Sequence, residues 1–151
     1  MVEYVDNEMF KITDRNSSII LIGQSMGGVV ANSLHKKGWN IQFAIYIGSP
    51  LNGANLLNQI ERILPTMIRN YMYKNAYKHL MIKGNDPEPP HRYHTISMSW
   101  PWTAFDGCVY QHEATLNIDK HTHLGWADHW TTFVNPRLWF VVANLLKEKA
   151  L

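Results

Sequence analysis

Apolar residues along this chain follow two rhythms. Ile19-Ile20-Leu21-Ile22 and the run Gln42–Gly48 (Q-F-A-I-Y-I-G) are apolar almost throughout and have the length of strands. The β-branched isoleucines of the first suit a strand buried on both faces. Between the two runs, Val29, Val30, Ala31 and Leu34 recur at helical spacing, followed by Lys36, Lys37 and Gly38, so a helix is expected from about Gly28 to Lys37. Strand, helix and strand joined by short connections predict a βαβ unit with parallel strands. Upstream, Val2, Val5, Met9, Phe10 and Ile12 are spaced as on a helix, and T-D-R-N-S-S (13–18) reads as a polar turn.

The second half is read in the same way. Leu56, Ile60, Ile63, Leu64, Met67, Ile68, Tyr71 and Met72 recur every three or four residues, so Asn55–Met81 predicts a helix interrupted at Pro65. That segment is either a cap beside a functional site or an ordinary helix covering the sheet. D-P-E-P-P (86–90) predicts a stiff exposed connector. Tyr93–Trp100 alternates as a strand does, and Thr115–Lys120 is expected as the last strand, with Leu116 and Ile118 on one face. Pro136–Lys149 predicts a closing helix that turns Leu138, Val141, Val142, Leu145 and Leu146 inward, with proline in its first turn.

The turn between the first strand and its helix carries the candidate chemistry. Gly23-Gln24-Ser25-Met26-Gly27 is G-x-S-x-G, the pattern of a nucleophile elbow. A serine hydroxyl is a weak nucleophile and must be held clear of the sheet where a base can reach it. Holding it there strains the backbone, and glycines two residues to either side allow strand and helix to approach closely. The N–H groups at the start of the helix then face the site, with Met26 as the candidate oxyanion donor. A phosphate-binding turn is the rival, but neither G-x-G-x-x-G nor G-x-x-x-x-G-K-[ST] is present.

A serine nucleophile needs a base and an acid to orient it, in the order Ser, Asp/Glu, His for this setting. Asp106, Glu113, Asp119 and Asp128 are the acids in range. Asp106, in Phe105-Asp106-Gly107 just beyond a strand, is chosen because a loop there can carry a carboxylate to the sheet edge. Asp119 lies within an expected strand, and Asp128 is too close in sequence to the best histidine to reach its Nδ1. Among His121, His123 and His129, the last stands between the final strand and the closing helix and is the candidate base. His121 and His123 are expected to be packed or solvent-facing. A metal site made of His121, His123 and Asp128 or His129 is the competing arrangement, but no H-E-x-x-H or cysteine pair supports it, and no metal or cofactor is expected.

Composition narrows the picture. With 151 residues, 46% hydrophobic and 12% aromatic, the chain can furnish a sizeable core as one domain or part of one. A net charge of +2 with no Lys/Arg run gives no footprint for nucleic acid. The single cysteine, Cys108, excludes an internal disulfide. No secretory signal or 18-residue apolar run is visible, so no membrane span is expected and a cytoplasmic location is the default.

Four pieces together resemble the C-terminal half of a lipase/esterase of the α/β-hydrolase superfamily. They are I-L-I-G-Q-S-M-G-G, G-S-P-L-N-G-A (48–54), F-D-G-C-V (105–109), and A-D-H (127–129) followed by N-P-R-L-W (135–139). There is weaker similarity to the GPI inositol-deacylase-like branch. Gln24 stands where such proteins more often have histidine. The resemblance implies a partial α/β-hydrolase fold, a mostly parallel sheet of about four strands flanked by helices, with a lid-like helical insertion at about 52–90. It implies a serine hydrolase of carboxylic esters, small or lipid-like, using Ser25, His129 and Asp106, with Met26 N–H at the oxyanion. Apolar substrates are suggested by the 55–81 segment and by Trp100, Trp102 and Trp126. Such proteins carry further strands and an oxyanion loop before the elbow, whereas 24 residues precede Ser25 here. The first strand is therefore expected to be an apolar edge, open to self-association or a partner chain, and the chain alone to be aggregation-prone and nearly inactive. A non-catalytic remnant or interaction module is the alternative.

Overall fold

The computed structural model describes residues 1–53, 66, 89 and 91–149, and within these a parallel sheet organises the chain. Its strands are β1 (Ile19–Gln24), β2 (Ile41–Ile47), β3 (Arg92–Ser99) and β4 (His121–Gly125), lying side by side in sequence order. Every pairing is parallel, with Leu21 opposite Ala44, Tyr46 opposite Thr95, and Ser97 opposite His123. The helices are α1 (Val2–Phe10), α2 (Met26–Leu34), the single turn α3 (Gln111–Ala114) and α4 (Pro136–Lys149). The expected cap at about 52–90, with its Asn55–Met81 helix, falls almost entirely outside the described residues.

The sheet separates two cores. On one face Ala44, Tyr46 and Tyr93 meet Val29, Ala31 and Leu34 of α2, with Val2, Val5 and Met9 of α1 packed against them. Trp39 joins this core, and its indole N–H donates to Asp6 of α1 at 2.7 Å, so α1 is pinned by a buried hydrogen bond as well as by apolar contact. On the other face Phe43, Ile45, Ile47, Ile96 and Met98 pack against Leu138, Val142 and Leu145 of α4. All five α4 positions expected to face inward belong to this second group.

Two elements differ from the sequence expectation. Thr115–Lys120 is not a strand: the Asn117 side chain accepts the Asp119 N–H at 2.9 Å and turns Ile118–Lys120 into a 3₁₀ turn. Leu116 packs on the first core while Ile118 is exposed, and the last strand begins at His121. The helix after the elbow begins at Met26, two residues earlier than expected, and ends through a 3₁₀ turn, His35–Lys37, at Gly38. Among the described residues the first strand lies at the sheet edge. Its Ile20 and Ile22 side chains are 40% and 46% exposed, so the expected burial on both faces does not hold there.

Candidate active site

Parallel strands bring their C-terminal ends to one edge, and loops leaving that edge can converge. β1 ends there in Gln24, and Ser25 follows with φ 51° and ψ −124°. A positive φ is uncommon for a residue with a Cβ, and it projects the serine out of the strand as an elbow requires. Its N–H donates to Ile47 O at 2.9 Å, which ties the turn to the end of β2. The close approach of strand and helix is made by Gly23 and Gly28. A Cβ on Gly23 would lie 2.6 Å from Gly28 Cα, and one on Gly28 only 2.0 Å from Ser49 Oγ. Gly27, the motif's second glycine, has open space and is not the close contact.

Met26 opens α2. The first N–H groups of a helix have no intrahelical acceptor, so Met26 N–H is available to an anion beside Ser25.

The acid and base loops meet over β2. Asp106 and His129 are both buried, 1% and 7% exposed, and Asp106 Oδ2 lies 2.9 Å from His129 Nδ1. The other carboxylate oxygen accepts the N–H groups of Cys108 (2.8 Å) and Val109 (2.7 Å), so the side chain has one orientation. His129 N–H donates to Asp106 O at 2.9 Å, a second link between the loops. A carboxylate can only accept, so Nδ1 is the ring nitrogen that would donate to it. Gly48, at φ 51°, is where the pair rests. A Cβ there would lie 3.3 Å from Asp106 Oδ2 and 3.5 Å from His129 Nδ1. Gln24, next to Ser25, donates from Nε2 to His129 O at 3.0 Å.

The elbow thus rests on Ile47 and the pair on the next residue, Gly48, while Gln24 joins the two directly. Among the described residues the side-chain bonds of His129 run to Asp106, and no hydrogen bond joins it to Ser25 Oγ.

The remaining candidates have other duties. Glu113 is fully buried and accepts the Tyr110 N–H at 2.9 Å, closing a capping box on α3. Asp119 sits in the 3₁₀ turn before β4. Asp128 accepts the N–H groups of Trp130 and Thr131 at 2.8 Å and the Thr131 hydroxyl at 2.6 Å. Those bonds hold its carboxyl below the usual range.

His121 and His123 line β4 in a ladder with β3 hydroxyls. Thr95 and Ser97 lie 2.8 and 3.0 Å from the two ring nitrogens of His121, and Ser97 and Ser99 lie 2.8 and 3.1 Å from those of His123. Burial, with His123 and His94 nearby, pushes His121 down to about 4, so its ring is neutral near pH 7. Both rings are engaged in the sheet. No group of three or more His, Cys, Asp or Glu able to hold a metal ion occurs among the described residues.

Comparisons with known proteins agree with this architecture. The description "PGAP1-like alpha/beta domain" matches residues 1–83, which is more than half of the chain. No curated protein matches the sequence. Among solved structures, MGS-MChE2, an α/β-hydrolase enzyme from the metagenome of lagoon sediments at Mar Chica, Morocco, is similar at TM-score 0.65 and 15% identity. The match covers 99% of this chain and 69% of that one. Tomato methylketone synthase I is similar at TM-score 0.55 and 10% identity, over 98% of this chain and 76% of the other. RedJ is similar at TM-score 0.54 and 18% identity, over 97% and 70%. At such identities these structures speak for the fold, a parallel α/β-hydrolase sheet flanked by helices. The chain belongs to the PGAP1-like alpha/beta domain family.

Proposed function

We propose that this chain is a serine hydrolase acting on carboxylic esters. Ser25 is the nucleophile, His129 the base, Asp106 the residue that orients His129, and Met26 N–H an oxyanion donor. One observation carries the reading: a buried His129–Asp106 pair, 2.9 Å apart, is tied through Gln24 and Gly48 to a strained serine turn. In the reaction, Ser25 Oγ attacks the ester carbonyl carbon while its proton passes to His129 Nε2, and the carbonyl oxygen becomes an oxyanion facing Met26 N–H. The C–O bond to the alcohol then breaks, and the alcohol leaves with that proton. Water repeats the sequence on the acyl-serine, releasing the acid and restoring the hydroxyl. Asp106 stays ionised throughout and stabilises the imidazolium.

The test is hydrolysis of p-nitrophenyl butyrate by the purified chain, where measurable Ser25-dependent turnover would also set aside the expectation that the chain alone is nearly inactive. Turnover should fall to background in Ser25→Ala, and by about 10⁴-fold in Asp106→Asn, which leaves His129 in the wrong tautomer. Turnover unchanged by Ser25→Ala would overturn the assignment. The second reading, an interaction module without activity, is favoured by the uncovered Ile20 and Ile22 on the edge strand. A folded chain with no Ser25-dependent turnover would favour it.

A further inference from the structure

The loop that carries His129 has a long way to travel. It leaves β4, at the edge of the described sheet opposite β1, and must reach back across β3 and β2 to the end of β1, which Ser25 follows. Most of what holds it comes from the β3 side. Ala127 N–H donates to Ser99 O at 3.2 Å and His129 N–H to Asp106 O at 2.9 Å. The link from β1 is different in kind: among the described residues it is one side-chain bond, from Gln24 Nε2 to His129 O, 3.0 Å long and 105 residues apart in sequence.

Thr132 Oγ1 lies 3.1 Å from the same carbonyl, yet it has one hydrogen and a nearer acceptor in Asp128 O at 2.8 Å. Gln24 is therefore the donor best placed for that oxygen. The amide can face it only with its NH₂ group, because its own oxygen would repel. We propose that Gln24 is a positioning residue for the base, setting where His129 stands relative to the serine that follows Gln24 in the chain. The inference rests on the serine-hydrolase reading for its effect on chemistry, although the contact itself does not.

The two parts can be tested separately. Gln24→Glu keeps the shape, loses the donor and adds a negative charge near a ring already faced by Asp106, with Asp128 as its sequence neighbour. Gln24→Leu removes both bond and polarity. The first measurement is the NMR titration of the His129 ring in the wild type and both variants, which needs no activity. Gln24→Glu should move the midpoint up by about half a pH unit or more, because a carboxylate beside the loop favours the imidazolium. The second is the rate at which a fluorophosphonate labels Ser25. Gln24→Leu should label about tenfold more slowly, the loss of one hydrogen bond's worth of positioning, with a thermal midpoint close to that of the wild type.

Superimposable titrations together with wild-type labelling rates in both variants would overturn the inference while leaving the hydrolase reading intact. A displaced titration with no labelling even of the wild type would uphold the contact and defeat the hydrolase reading instead. A slower rate in Gln24→Leu matched by an equal fall in folded population would mean that Gln24 serves stability alone.

Discussion

At the scale of single residues, Ser25 stands in a backbone conformation that costs roughly 1–3 kcal/mol for a residue with a side chain. Strain of that size persists only where the surroundings hold it, and here they do so through Gly23 and Gly28. The two glycines of the sequence motif do not contribute equally, which gives a sharp prediction. Gly27→Ala enters open space in a helix and should raise stability by about 0.5–1 kcal/mol, because alanine is the better helix former. Gly28→Ala puts a Cβ onto Ser49 and should lower the urea midpoint and destroy the geometry of the turn. Equal midpoints for the two variants would show that the elbow is not closed by Gly28. Ser25, Asp106 and His129 could be put forward as candidates from the sequence because a serine nucleophile needs a specific turn, and because acid and base follow in a set order. Gly28 was not, because spacing in sequence does not say which helical residue turns toward the strand. Gln24 was legible only as a departure from the family's usual histidine.

Among the elements, β1 is the one whose setting has consequences in solution. It pairs only with β2 among the described residues, and it exposes Ile20 and Ile22 on the same face as Phe43 and Ile45, where α4 packs over β2 and β3 but leaves β1 uncovered. An unpaired apolar edge is a template for another strand. Ile22→Lys places a charge there and should shift the purified chain toward monomer in light scattering, with little change in Ser25 labelling. An unchanged mass would argue that the edge does not drive association. The strands β1 and β2 and the helix α4 stood out in the sequence because their apolar positions are continuous or helically spaced. β4 did not. His121-Thr122-His123-Leu124-Gly125 is polar and short, and it is held to β3 by a hydroxyl–imidazole ladder that leaves no apolar alternation to read. The apolar pair Leu116 and Ile118 imitated a strand instead, until the Asn117 cap turned the chain.

For the whole molecule, two cores on either side of one sheet keep the C-terminal edges of the strands in register, and that register is what brings Ser25, Asp106 and His129 to the same end. None of these residues is close to another in sequence, so the candidate site exists only as a product of the fold. Among the described residues no helix is long and apolar enough to cross a membrane. The proposed chemistry turns on His129, held by Asp106, activating Ser25. A fluorophosphonate reacts with a serine that a base has activated, so the most direct measurement is labelling of the purified chain, with the modified residue located by mass spectrometry. Label is expected on Ser25 in the wild type, none in Ser25→Ala, and at most a trace in His129→Ala. Label of equal extent in wild type and His129→Ala, or a folded wild type that takes no label, would contradict that chemistry.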